Sequence, residues 1–131
     1  MAMKRELPDT LETDHWPVEI RNKTAERRLE IDFDSGECYS LPAELLRVES
    51  PSAEVQGHNP SQKQIIAGKR GVSIRALEPV GNYAVRIVFD DGHESGLFSW
   101  KYLFELGQRQ DEIWRRYLSA LDERRLSRDH G

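Results

Sequence analysis

The stretch VRIVFDDGHESGLFSWKYL at residues 85–103 decides the fold. Tyr83, Val85, Ile87 and Phe89 recur at every second position, the period of a strand with one face on a core. Asp90-Asp91-Gly92 supplies a reversal, and the chain returns through His93 to Phe98. Ser99 is placed to accept the backbone N–H bonds that open a helix over Trp100–Leu106, with Gly107 predicted to close it in a left-handed cap. The same grammar appears in LEIDFDSGECYSLPAELL at 29–46. There Leu29, Ile31 and Phe33 alternate with Glu30, Asp32 and Asp34. Asp34-Ser35-Gly36 makes the turn, and Cys38, Tyr39 and Leu41 form the return strand. Pro42 then opens a short helix carrying Ala43, Leu45 and Leu46. Through the first eight positions the two stretches keep a constant offset of 56 residues, and one residue is gained near the helix start. Duplication and the independent recurrence of hairpin chemistry both account for the echo.

Working outward, Val18 and Ile20 alternate with Glu19 and Arg21, and Val72, Ile74 and Ala76 with Ser73 and Arg75, so each hairpin is predicted to gain a third strand. Gly81-Asn82 marks a further turn. Glu49 to Gly71 is rich in Pro, Gly and Ser and reads as a long loop, with a short strand expected at Gln64–Ala67. Ile113, Trp114, Tyr117, Leu118 and Leu121 recur at helical spacing and predict a last amphipathic helix docked on the sheet. The expected architecture is α+β, an antiparallel β-sheet built from two hairpin-helix units with a C-terminal amphipathic helix packed on it. Residues 16–126 form a single domain in this reading, 1–15 a mobile arm and 127–131 a frayed tail.

The 131 residues fit one domain, and 37% apolar with 32% charged content lies away from the disordered class. No apolar run reaches the roughly 20 residues a bilayer span needs, and the first residues lack the apolar stretch of a signal peptide. A cytoplasmic protein is expected. Cys38 is the lone cysteine, so neither an internal disulfide nor a cysteine-rich zinc site is available. Net charge is −4 and the pI about 5.6, which argues against a dedicated nucleic-acid binder. Charge is uneven: residues 1–62 carry 7 basic and 13 acidic groups, residues 63–131 carry 12 and 10. The basic cluster Lys63, Lys69, Arg70 and Arg75 reads as a solvated loop.

No phosphate-cradling glycine loop and no nucleophile elbow is present. Cys38 sits beside Glu37, which disfavours a thiolate. Asp90-Asp91 fits a turn motif better than an acid–base pair. His15 and His130 lie in terminal segments, and Trp16, Trp100 and Trp114 are expected in the core. His58 in the long loop and His93 after the second turn occupy segments where function concentrates. If the fold joins those segments, His58, His93 and Asp91 or Glu94 could coordinate an iron or zinc ion. The other reading is a pair of histidines making hydrogen bonds at loop ends.

LPAELLRVESPSAEVQGH at 41–58, followed by VGNYAVRIVFDDGHESGLFSWKYL at 80–103, resembles the gamma-butyrobetaine-hydroxylase-like N-terminal domain family. The resemblance covers roughly residues 16–121 and implies the family's fold. In the hydroxylase this module precedes a separate iron- and 2-oxoglutarate-dependent catalytic domain and carries a zinc held by three cysteines and a histidine. Laid on that pattern, Ser50, Ser52 and Val55 stand where the cysteines would be, and His93 stands on the histidine. The oxygenase reaction is not implied, since no histidine here is followed two positions later by Asp or Glu. Related modules are joined to P-loop ATPases resembling iron–sulfur carriers. The resemblance therefore implies a non-catalytic accessory module that assists iron–sulfur or other metalloenzyme maturation by binding a protein partner. The expected surface is the loop Arg47–His58, with Ser50, Pro51 and Ser52, together with the hairpin from Asp90 and Gly92 to Gly96. A metal-binding protein, or a docking subunit for a separate oxygenase, is the alternative.

Overall fold

The computed structural model describes residues 13–129. Strands β1 (Pro17–Lys23), β2 (Arg28–Phe33) and β3 (Cys38–Pro42) lead into helix α1 (Ala43–Val48) and the single turn α2 (Ala53–Gln56). Strands β4 (Ile74–Val80), β5 (Ala84–Phe89) and β6 (Leu97–Ser99) follow, then helices α3 (Trp100–Gln108) and α4 (Gln110–Glu123). The strands form two antiparallel sheets of three, ordered β1-β2-β3 and β4-β5-β6, where the sequence reading had one sheet. The class is α+β as expected.

The echo is a structural repeat. Phe33 N donates to Glu37 O at 2.9 Å and Gly36 N to Phe33 O at 3.0 Å; Phe89 N donates to His93 O at 2.9 Å and Gly92 N to Phe89 O at 3.2 Å. Gly36 (φ 97°) and Gly92 (φ 93°) both take the left-handed conformation that closes such a turn without strain. The aspartates match too. Asp34 Oδ1 accepts from Trp16 N and Asp90 Oδ1 from Ser73 N, each at 3.1 Å, so each carboxylate grips the chain entering its third strand.

The core lies between the sheets and the helices. Leu29, Ile31 and Leu41 from the first unit meet Ile87, Phe89 and Phe98 from the second, with Leu45, Leu46, Leu103 and Leu106 from the helices. Each such side chain contributes about 1.5–3 kcal/mol by leaving water. Ser99 caps α3 by accepting from Tyr102 N at 3.1 Å. A smaller cluster joins Val48 to Tyr117 and Leu121 of α4, over Ile65, Ile66 and Ala67.

Several expectations are corrected. Val18 is 70% exposed, because a register shift between Pro17 and Glu19 turns it off the core face. Residues 64–67 are not a strand. Their backbone is taken by other segments, Val55 O accepting from Gln64 N and Ile66 O from the Tyr117 hydroxyl. Helix α3 runs through Gly107, which lies directly against the Tyr39 ring, so its missing side chain serves close packing rather than a cap. Leu118 is exposed at the margin of the α4 stripe. His15, assigned to the arm, stacks on Phe104 with centroids 3.7 Å apart. The tail is docked through Asp129: Gly68 N donates to Ser127 O, Arg70 N to Arg128 O, and Arg128 forks onto Glu44. Residues 1–12 of the arm, and His130 and Gly131, lie outside the described residues.

Candidate functional site

Helix α1 ends at Val48, and the chain crosses Ser50, Pro51 and Ser52 into the turn α2. This crossing lies against the β5–β6 hairpin, so the fold does join the loop to the second reversal. Ser50 is fully buried, and Ser52 and His93 are buried polar residues beside it. Ser50 Oγ lies 3.0 Å from His93 Nε2 and 3.2 Å from Ser52 Oγ, and Ser52 Oγ lies 3.4 Å from the same nitrogen. Val55 is also buried. Burial, and then the nearby Arg47 guanidinium, hold the His93 imidazole below its ordinary range, so it is neutral at neutral pH. Gly96 leaves the room for this cluster, because any side chain there would run into Ser50 Oγ and the Phe98 ring.

Asp91 tightens the same junction from the other side. Its Oδ2 accepts from Arg47 Nε at 2.8 Å and pairs with Lys69 Nζ at 2.7 Å, while Oδ1 accepts from His93 N at 3.0 Å. Burial alone would raise this carboxyl. The bonds from Lys69, His93 N and Arg47 outweigh it and hold the pKa at about 2. One carboxylate thus ties the end of α1, the 63–71 segment and the second turn together. Arg47 Nη1 is buried without a hydrogen-bond partner among the described residues.

Of the proposed metal set, His93 and Asp91 are adjacent but committed to different partners. His58 is exposed on the loop, where its N–H donates to Gln62 Oε1. Among the described residues no three His, Cys, Asp or Glu side chains are arranged to hold a metal ion. Nor does the donor set fit the hydroxylase zinc: positions 50, 52 and 93 do converge, but two neutral hydroxyls and the Val55 hydrocarbon replace its thiolates. Asp90 is occupied by Ser73 N, Gly92 is exposed, Pro51 is half-buried, and Glu94 is exposed. Glu54 accepts from the Ser95 hydroxyl and lies 3.7 Å from His93 Nδ1, beyond hydrogen-bond reach.

The basic cluster is solvated only in part, with Arg70 and Arg75 exposed and Lys63 and Lys69 half-buried. Lys63 pairs with Glu49 at 2.6 Å, Lys69 with Asp91, and Arg70 with Asp129 at 2.6 Å, while Arg75 is exposed. Lys69 is the site residue that sequence reasoning missed. Its signal was the run 63–75, which holds four basic residues and no acid, so an ion-pair partner had to come from another segment. A cleft of about 220 Å³ lies beside this region, between α3, α4 and residues 63–65. Its tyrosines are poor acid–base groups at neutral pH: burial pushes the Tyr102 phenol up strongly and the Tyr117 phenol to about 12. Cys38 is exposed, and a hydrogen bond with Asp32 raises its thiol. It is not a thiolate nucleophile.

Among the described residues no helix is long and apolar enough to cross a membrane. No curated protein matches the chain. Two solution NMR structures are similar, one 46% identical over 88% of this chain and 90% of its own with a TM-score of 0.76. The other is 44% identical over 95% and 91%, with a TM-score of 0.77. A crystal structure of a protein of unknown function of the DUF971 family, from Acidithiobacillus ferrooxidans, is 42% identical over 70% of this chain and 91% of its own, with a TM-score of 0.59. A family model described as gamma-butyrobetaine hydroxylase-like, N-terminal, matches residues 20–104. With Phe33 and Phe89, Gly36 and Gly92 in equivalent turns and His93 seated against positions 50 and 52, the chain belongs to that family.

Proposed function

We propose that this chain is a non-catalytic interaction module that binds a protein partner in the cytoplasm and serves iron–sulfur or other metalloenzyme maturation. The observation that carries the reading is the use of the junction's polar groups. Asp91 is taken by Arg47 and Lys69, and His93 by Ser50 and Ser52. These contacts fix the 47–58 loop and the 90–96 hairpin as one surface, with Glu54, Glu94 and Ser95 facing outward. A surface held rigid before encounter loses less entropy on binding, which suits recognition. The partner class rests on the domain company of related modules, which are joined to P-loop ATPases resembling iron–sulfur carriers.

The test is cross-linking and affinity capture from cells carrying the native chain or the charge-reversed pair Glu54→Arg and Glu94→Arg. Capture of a metallocofactor-assembly protein by the native chain, lost in the folded variant, supports the reading. Failure to capture one, with normal cluster-enzyme activities in cells lacking the chain, refutes it.

A further inference from the structure

Ser50, Ser52 and His93 belong to segments 41 and 43 residues apart, yet their polar atoms meet in a sealed space. Ser52 occupies the N-cap position of α2 with extended backbone, where a serine ordinarily bonds the helix amides. It makes no such bond. Its hydroxyl is turned to His93 Nε2 and Ser50 Oγ instead, and Ser52 N also points at Ser50 Oγ at 3.4 Å. The Ser50 carbonyl accepts from Gln56 Nε2 at 2.8 Å, which folds α2 back over the crossing. Buried polar atoms need partners, and here three side chains supply one another's.

The positions are those at which the hydroxylase module is expected to hold zinc. Hydroxyls are hard, weak donors for that ion, and Val55 offers none. We propose that the Ser50–Ser52–His93 cluster is a metal-free clasp that pins the 49–58 segment to the β5–β6 hairpin, in the place where the hydroxylase module is expected to hold an ion. The fold of this chain then does not depend on a metal. The clasp stands whether or not the surface it shapes binds the partner class proposed above.

The experiment uses the full chain without a histidine tag. Elemental analysis and melting with and without a chelator are expected to give substoichiometric metal and an unmoved transition. Hydrogen exchange of the 52–56 amides is expected to rise roughly tenfold in His93→Ala and less in His93→Gln, whose amide can still bond a hydroxyl. The triple variant Ser50→Cys, Ser52→Cys, Val55→Cys is expected to take up one cobalt ion, with thiolate-to-metal absorption and a chelator-sensitive melt. Stoichiometric zinc or iron lost on His93→Ala would overturn the clasp. So would unchanged exchange in His93→Ala, or a folded triple variant that ignores cobalt.

Discussion

Replacing Arg128 by alanine removes the anchor of the C-terminal segment. Arg128 donates through Nε and Nη2 to the two Glu44 oxygens at 2.8 and 2.7 Å, a two-pronged bond across 84 residues of chain. Its guanidinium carbon also sits 5.2 Å from the centre of the Trp114 ring. Glu44 is 6% exposed, so losing the guanidinium strands a carboxylate in a nearly dry position. Breaking a buried pair from one side costs about 3–5 kcal/mol, and an exposed pair is worth about 0–1. With the Arg128 side chain 29% exposed, water reaches the gap, and the expected loss is about 2–3 kcal/mol. For a chain of this size that lowers the melting midpoint by about 6–12 °C. Urea unfolding at pH 7, followed by far-UV circular dichroism and tryptophan fluorescence, measures it. Arg128→Lys keeps the charge without the fork and is expected to lose about half as much. A double-mutant cycle with Glu44→Gln is expected to give about 1–2 kcal/mol of coupling. An Arg128→Ala chain within about 0.5 kcal/mol of the parent would show that the segment is not docked and that the reasoning is wrong.

Asp91→Asn discharges the Arg47–Lys69 clamp. The folded carboxyl titrates at about 2 against an ordinary 3.8, so its stabilisation is full above pH 3.8 and is lost as pH falls toward 2. Discounted for its partly exposed rim, it amounts to about 1–2 kcal/mol at pH 7. The gap between parent and variant in urea is expected to be undiminished at pH 5 and about halved at pH 3; a gap independent of pH refutes the assignment. Gly107→Ala forces a methyl group into the Tyr39 ring and is expected to destabilise by about 1–3 kcal/mol despite alanine's better helix propensity. A more stable variant in thermal melts would show that α3 has freedom to move off the sheet.

The strands, both turns and the Ser99 cap were legible because each depends on neighbours a few residues away: period-two apolarity, a glycine at positive φ, a hydroxyl beside the first helical turn. The resemblance carried the meeting of positions 50, 52 and 93, since the quoted strings contain all three. What lay beyond local pattern was decided by segments distant in sequence. The bulge that exposes Val18 follows from its pairing with β2, and Gly107 is explained only by the Tyr39 ring across the core. Asp91 is an ion-pair partner because Arg47 and Lys69 arrive from two other segments. Residues 127–129 are docked because Arg128 reaches Glu44 on α1. Local chemistry sets which elements form; which charges meet depends on how those elements pack, and no short-range period encodes that.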